Sequence, residues 1–208
     1  GPCGFRRESF YPCYGLAEAT LMVSGSLKDG APVGKRVDAK ALLDHRVVEA
    51  AGEDNRLLVG CGRNLGSQKI VVVHPETRLE CAAGEVGEIW VAGTSVAEGY
   101  WRKPELTDQT FHAFIDDTGE GPFLRTGDLG FIDAGELFVT GRLKDLVIIR
   151  GFNHYPQDIE LTVEKCDRAL RPGCGAAFAV EVSGEERLVL VQEVDQRQPV
   201  DLERLRER

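Results

Sequence analysis

Two residues in the second half of the chain have side chains suited to holding a nucleotide. Asp128 lies in a predicted turn, Thr126-Gly127-Asp128, and Arg142 follows at the end of a predicted strand. A carboxylate has two acceptor oxygens, which match the two hydroxyls of a ribose cis-diol. A guanidinium keeps its charge and offers several donors to ribose or phosphate oxygens. The alternative is structural, with Asp128 capping a turn and Arg142 pairing with it at the surface.

One β-hairpin is predicted to carry both residues. Residues 129–131 and 136–140 read as short strands, and residues 133–135, Asp-Ala-Gly, are predicted to form the tight turn between them.

A hinge is predicted directly after the hairpin. Lys144 and Asp145 interrupt the apolar pattern with two opposite charges before the apolar run 146–149. A short charged break between strands can absorb backbone rotation without exposing apolar surface. We therefore expect residues 143–145 to form a joint, followed by a helix that starts near Pro156.

A second group of functional residues lies near the start of the chain, in Tyr14-Gly15-Leu16-Ala17-Glu18. Tyr14 offers a flat ring, and Gly15 allows the backbone to approach a ligand closely. The carboxylate of Glu18 is a possible Mg²⁺ ligand. The structural alternative is the start of an apolar helix with Glu18 exposed to solvent.

Together these segments resemble the adenylate-forming, AMP-binding superfamily of acyl-CoA synthetases, peptide-synthetase adenylation domains and luciferases. TGDLG at 126–130 resembles the ribose-binding turn of that superfamily, and GRLKD at 141–145 resembles its arginine and interdomain hinge. YGLAE at 14–18 resembles its Tyr-Gly-x-Thr-Glu motif. RGFNHYPQDIE at 150–160 is more particular and is similar to the fatty acyl-AMP ligases, which feed polyketide and lipopeptide synthases.

The resemblance implies a role for each matching residue. The tyrosine lies against adenine and the glutamate binds magnesium, whereas the threonine that contacts phosphate is replaced by Ala17, as in the fatty acyl-AMP ligases. The implied nucleotide-binding residues are Tyr14, Gly15, Leu16, Ala17, Asp128 and Arg142. The implied metal ligand is Glu18, and the implied hinge residues are Lys144 and Asp145.

The resemblance also implies the reaction. A fatty acid is activated with ATP and Mg²⁺ to an acyl-adenylate, and the acyl group then passes to an acyl carrier protein or to a polyketide or nonribosomal peptide synthase module. The phosphate-binding loop and the catalytic lysine of the superfamily are expected before Gly1 and after Arg208. We therefore expect the chain to be part of a longer enzyme, to contain no catalytic residue of its own and to be inactive alone.

The expected fold class is α+β. An antiparallel, β-rich, barrel-like subdomain of the large AMP-binding domain is predicted over residues 1–142, and part of a small α+β lid domain over residues 146–208. The expected strands cover 68–74, 88–92, 176–182 and 187–194. The expected helices cover 38–51, 104–111 and 157–166, with another starting at 201. The spacing between Glu18 and residue 87 also exceeds that of typical acyl-CoA synthetases, which suggests a family-specific insertion or a plain loop.

Composition excludes some classes of function. The net charge is −9, with 34 acidic and 25 basic residues, which disfavours nonspecific binding to nucleic acid. No stretch is long and apolar enough for a transmembrane segment. The six cysteines form no CxxC pair, which favours a reduced, cytoplasmic protein over a disulfide framework.

Three alternatives stay open from the sequence. The longer protein is an acyl-CoA ligase, an amino-acid adenylation domain, or a non-catalytic nucleotide-binding or interaction module. Offering CoA or a carrier protein as acyl acceptor separates the enzymes, and calorimetry with an acyl-AMP analogue separates enzyme from module.

Overall fold

The computed structural model describes residues 3–28, 30–50, 55–149, 152–182, 185–195 and 197. The chain divides into two compact units, Gly1–Leu143 and Lys144–Arg208. The division falls inside the segment predicted as a hinge, and the hinge itself stays a prediction.

Both units consist mainly of antiparallel strands. The strands of the first unit are β1 (Cys13–Tyr14), β2 (Ser24–Gly25), β3 (Gly34–Asp38), β4 (Asn55–Val59), β5 (Arg63–Asn64), β6 (Lys69–Val73), β7 (Gly87–Ala92), β8 (Leu124–Asp133) and β9 (Glu136–Arg142). Those of the second unit are β10 (Val147–Ile149), β11 (Phe152–His154), β12 (Leu170–Val182) and β13 (Glu185–Val194). The α-helices are α1 (Ala39–Leu43), α2 (Pro104–Phe111) and α3 (Pro156–Glu164). The 3₁₀ helices are Arg7–Ser9, Ala17–Ala19 and Leu143–Asp145.

The main sheet of the first unit has the strand order β6-β7-β8-β9, so that each strand pairs with its neighbour in sequence. The sequence predicts strands over 68–74 and 88–92, and the structure confirms both as β6 and β7. Ala134 and Gly135 connect β8 to β9 with φ values of 50° and 81°. Two successive positive φ values are typical of the tight hairpin turn that the sequence predicts there.

The predicted turn at residues 126–128 is corrected by the structure, because these residues lie within β8. The strand is nevertheless irregular at this point. Gly127 has a φ of 71°, and the register between β7 and β8 shifts between Glu88 and Trp90. An irregularity of this kind turns a side chain away from the regular strand alternation. Asp128 is therefore presented by a distorted strand instead of a free turn.

The α+β class with antiparallel sheets is confirmed, and the described sheets are open, without closing into a barrel. Besides the main sheet, the first unit contains β1-β2-β5 and the pair β3-β4, and the second unit contains the pairs β10-β11 and β12-β13. Of the predicted helices, 104–111 is confirmed. The one predicted at 157–166 is found at Pro156–Glu164, and the segment at 201–208 lies outside the described residues.

The helix predicted over 38–51 is wrong in length, since it ends at Leu43. The Asp38 side chain caps its start by accepting from the Ala41 N–H at 2.8 Å. His45 then adopts a φ of 55°, which reverses the chain. The amide of Val47 bonds to the carbonyl of Gly84 instead of continuing the helix. Among the described helices, none has the length and apolar composition needed to cross a membrane.

The core of the first unit lies on the main sheet. Phe131 and Phe138, on β8 and β9, are directly opposite each other in the register. Their rings stack with centroids 5.0 Å apart, and each residue is only 1% exposed. Trp90 of β7 is fully buried and packs near Phe123. These aromatic contacts stabilise the strands that carry Asp128 and Arg142.

We predict that Phe138→Ala lowers the free energy of unfolding of the 208-residue chain by about 3–5 kcal/mol, because it leaves a cavity at a buried stacked pair. Trp101→Ala is the control, since Trp101 is 85% exposed, and should cost no more than about 1 kcal/mol. Urea denaturation followed by circular dichroism measures both variants. Equal losses would contradict the assignment of this core.

Candidate functional site

The carboxylate of Asp128 is the centre of a three-residue cluster. Its Oδ2 accepts a hydrogen bond from the Tyr14 hydroxyl at 2.7 Å, and its Oδ1 accepts one from Nε of Arg142 at 3.1 Å. Asp128 and Arg142 are direct cross-strand partners of β8 and β9. The structure therefore brings Tyr14 to Asp128 across 114 positions of sequence and pairs Asp128 with Arg142 of the same hairpin.

The cluster combines a buried carboxylate, Asp128, with a solvent-accessible guanidinium, Arg142. The Asp128 side chain is 13% exposed, whereas the Arg142 side chain is 56% exposed. Each carboxylate oxygen can accept more than one hydrogen bond, so Asp128 keeps acceptor capacity beyond its protein partners. The arrangement can bind a neighbouring pair of hydroxyls while Arg142 supplies positive charge.

Tyr14 takes part in the cluster as a neutral donor. It is buried among Ala19, Val23 and Ile89 in the core cluster. Burial raises the pKa of its hydroxyl far above the ordinary value, and the hydrogen bond to Asp128 acts in the same direction. The tyrosine therefore holds the carboxylate without contributing a charge. Little of the ring is exposed, and its contact with adenine stays a prediction.

A second buried acid, on the adjacent strand β7, supports the irregular part of β8. Glu88 of β7 is 2% exposed. Its Oε2 accepts from Nε and Nη2 of Arg125 at 3.0 and 2.8 Å, and its Oε1 accepts from the Gly127 N–H at 3.1 Å. The Arg125 guanidinium also lies over the Trp90 ring, 5.6 Å from its centroid. Glu88 thus fixes the backbone directly before Asp128.

Thr126 completes this support. Its hydroxyl donates to the Ile89 carbonyl at 2.7 Å and accepts from the Asp128 N–H at 3.1 Å. The irregular part of β8 is therefore satisfied by side chains where the regular ladder is interrupted.

Glu18 lies on the 3₁₀ helix Ala17–Ala19. Its Oε1 accepts a hydrogen bond from the Tyr100 hydroxyl at 2.8 Å. Burial raises the pKa of Tyr100, and the hydrogen bond to Glu18 adds to the rise, so Tyr100 donates as a neutral hydroxyl. Oε2 of Glu18 accepts no hydrogen bond from the described part of the chain. A half-buried carboxylate with one oxygen available fits Mg²⁺, which usually combines one or two carboxylates with substrate phosphates.

The three residues between Tyr14 and Glu18 form a tight loop. A side chain at Gly15 would collide with the backbone carbonyl of Leu21, so the fold itself requires glycine at this position. Leu16 is half-buried and packs against the core cluster. Ala17 is exposed and opens the 3₁₀ helix. The predicted nucleotide contacts of all three residues stay predictions.

Lys144 and Asp145 are both exposed and lie in the 3₁₀ helix Leu143–Asp145. They follow directly after β9, which ends at Arg142. The arginine of the candidate site is therefore followed directly in sequence by the predicted hinge.

Sequence reasoning missed Glu88 and Tyr100. Glu88 has a recognisable signal, an acid within the apolar strand Gly87–Ala92, because a buried carboxylate requires partners. Tyr100 gives no such signal, since the sequence favours a packing aromatic there. Its ring does pack on Phe111, with centroids 5.1 Å apart, but its hydroxyl also bonds to Glu18.

Comparison with known proteins gives one family match. Residues 3–101 match the AMP-binding enzyme family. A relative from Moorena producens (strain JHB), the medium-chain-fatty-acid–[acyl-carrier-protein] ligase JamA, is 52% identical over 198 residues. The match covers 93% of this chain and 33% of that protein, so the chain spans about a third of the length of the curated relatives that it matches.

Solved structures show the same likeness. One, from a study of fatty acyl-adenylate ligases of E. coli and L. pneumophila, has a TM-score of 0.78 and 35% identity, and the match covers 96% of this chain and 34% of that one. The L. pneumophila fatty acyl-adenylate ligase in complex with acyl adenylate and pyrophosphate has a TM-score of 0.67 and 43% identity, with 97% and 35% covered.

We predict that Glu88→Gln lowers the free energy of unfolding by about 1.5–3 kcal/mol, because the partly buried Arg125 then loses a charged hydrogen-bond acceptor. Glu120→Gln is the control. It removes the same charge from an exposed pair with Lys69 and should cost less than about 1 kcal/mol. Denaturant titration of both variants measures the difference. A loss for Glu88→Gln no larger than that of the control would refute the supporting role of Glu88.

Proposed function

We propose that this chain, of which residues 3–101 match the AMP-binding enzyme family, is part of an ATP-dependent fatty acyl-AMP ligase. We use "parent enzyme" for the longer polypeptide that would carry this chain. Two findings support the proposal. The chain matches only about a third of the length of each relative, and the relatives and solved structures are named as fatty-acid or fatty acyl-adenylate ligases.

One observation carries the proposal. Tyr14, Asp128 and Arg142 are brought together on a single carboxylate at a distorted point of β8. A simple surface ion pair would not require a buried Asp128, an irregular β8 or the supporting buried acid Glu88. A site that binds a diol benefits from all three, because the carboxylate must be held in one orientation before the ligand arrives.

The proposed reaction has two steps. In the first, a carboxylate oxygen of the fatty acid attacks the α-phosphorus of ATP, the bond from that phosphorus to the bridging oxygen breaks, and pyrophosphate leaves. In the second, the thiol of a carrier protein attacks the acyl carbonyl carbon, AMP leaves with the electron pair of the broken bond, and the thiol proton passes to solvent. Charge neutralisation and positioning are the tasks of the protein in both steps.

In this proposal Asp128 accepts hydrogen bonds from the ribose hydroxyls, and Arg142 donates to ribose or phosphate oxygens. Tyr14 holds Asp128 in place and lies against adenine, within the loop formed by Gly15, Leu16 and Ala17. The burial of Asp128 strengthens its bonds to the sugar, since competing water is largely excluded.

Glu18 would hold Mg²⁺ through its available oxygen. When bound, the metal neutralises negative charge on the phosphates of ATP. The contribution of this chain is the orientation of the carboxylate, to which Tyr100 is bonded.

The proposed partners are a fatty acid, ATP and an acyl carrier protein or synthase module, and the proposed location is the cytoplasm. Lys144 and Asp145 would form the joint at which the lid rotates between the two steps. An acyl-CoA ligase or an amino-acid adenylation domain would use a different acceptor or acid.

We predict that Asp128→Asn in the parent enzyme weakens ATP binding about tenfold, because a neutral amide replaces a charged acceptor. Affinity for 2′,3′-dideoxy-ATP, which lacks both ribose hydroxyls, should stay unchanged. Asp133→Asn is the control, since Asp133 lies on the same strand but pairs with Lys35 at an exposed position. Calorimetry with both nucleotides measures the effect. An equal loss for both nucleotides would argue against a ribose contact.

Asp128→Ala is less informative. A carboxylate in the turn predicted at residues 126–128 would be exposed, and its removal would leave folding nearly intact, but Asp128 is buried. Its removal would leave the Tyr14 hydroxyl without its buried acceptor, at a cost in stability.

The function itself is tested by ATP–pyrophosphate exchange with the parent enzyme and saturated fatty acids of increasing chain length. We expect exchange that requires fatty acid, and transfer of the acyl group to a carrier protein in preference to CoA. Exchange driven by amino acids, preferred transfer to CoA, or nucleotide binding without exchange would each point to one of the alternative functions.

A further inference from the structure

Tyr100 occupies an unusual position between a helix and the proposed metal ligand. Its hydroxyl donates to Oε1 of Glu18 at 2.8 Å, across 82 positions of sequence. Glu18 lies on the 3₁₀ helix Ala17–Ala19 and Tyr100 on a loop before α2, so nothing in their local structure requires the contact.

Tyr100 is held from its other side by α2. Its backbone N–H donates to Oγ1 of Thr107 at 2.9 Å, and its ring packs edge-on against Phe111. Gly99 makes this approach possible, because a side chain there would collide with the side chain of Thr107. The ring is therefore fixed in position and orientation before it reaches Glu18.

The backbone around Glu18 is held by the same segment. The Glu18 carbonyl accepts from the Ala97 N–H at 2.8 Å, and the Thr20 hydroxyl donates to the Ser95 carbonyl at 2.6 Å. Both main chain and side chain of Glu18 thus depend on residues 95–100. Oε1 of the Glu18 carboxylate accepts the Tyr100 hydrogen bond, and Oε2 accepts none from the described residues.

We propose that Tyr100 is a positioning residue that holds the Glu18 carboxylate with Oε2 directed to Mg²⁺ bound with the nucleotide. The inference rests on the proposed function, in which Glu18 is the metal ligand. Partners behind a metal ligand orient it and reduce the freedom that it loses on binding the metal. Without the Tyr100 hydroxyl, Glu18 would have to be ordered by the metal itself.

The experiment measures ATP affinity of the parent enzyme by calorimetry, with Mg²⁺ and with EDTA, for the wild type, Tyr100→Phe and Tyr11→Phe. Tyr11 is 44% exposed, and its hydroxyl makes no hydrogen bond with the described residues, so its phenylalanine variant is a matched control. We expect Tyr100→Phe to reduce the Mg²⁺-dependent gain in ATP affinity about tenfold. Its metal-free affinity should match the wild type, and Tyr11→Phe should match it under both conditions.

Glu18→Gln and the double variant complete the design. If Tyr100 acts through Glu18, Tyr100→Phe adds no further loss in the Glu18→Gln background. A Mg²⁺-dependent gain that is unchanged in Tyr100→Phe, a loss that is equal with and without Mg²⁺, or additive losses in the double variant would overturn the inference. The thermal midpoint of each variant shows whether a loss comes from unfolding.

The two proposals fail in different ways. If fatty acid fails to drive pyrophosphate exchange while Tyr100→Phe still reduces the Mg²⁺-dependent gain, the ligase assignment is wrong and the role of Tyr100 stands. If exchange proceeds and Tyr100→Phe binds Mg²⁺–ATP as the wild type does, only the role of Tyr100 is wrong.

Discussion

The bond between the buried Glu88 carboxylate and the Gly127 amide is the constraint on which the candidate site depends. Gly127 has a positive φ, and the ladder between β7 and β8 shifts its register beside it. A backbone amide at such a point would be unsatisfied without a side-chain acceptor. Glu88 supplies that acceptor, and Arg125 balances its charge. The distortion that orients Asp128 is thus stabilised by an ion pair between the buried Glu88 of β7 and Arg125 of β8.

Two tyrosine–carboxylate pairs share a common logic. Tyr14 donates to Asp128, and Tyr100 donates to Glu18. Burial raises the pKa of both hydroxyls, so both are neutral donors. A neutral donor orients a carboxylate without cancelling its negative charge, whereas a lysine in the same position would compete with a cation or a sugar for it. Both rings also pack in the same core cluster, which couples the order of the site to the order of the core.

The site is therefore built from two paired strands, β8 and β9, and one tight loop. β8 and β9 carry Asp128 and Arg142, and their stacked phenylalanines lie a few residues away on the same strands. The loop of Gly15 is closed by a contact with the Leu21 carbonyl that only glycine permits. Such a frame suits a proposed chemistry that depends on positioning, because small displacements of binding groups are costly.

The sequence by itself determined the hairpin, the two apolar strands before it and the helix at 104–111, because periodicity, turn residues and a proline near the helix start are local signals. It also singled out Tyr14, Glu18, Asp128 and Arg142 as candidate site residues.

Only the tertiary structure decided that Tyr14 and Arg142 meet on one carboxylate, that Asp128 is buried within a strand, and that Glu88 and Tyr100 support the two acids. It also ended the first helix at Leu43, where His45 reverses the chain. Most of these outcomes depend on contacts between residues distant in sequence, which local patterns do not specify, although the acid within the apolar strand Gly87–Ala92 does give a signal.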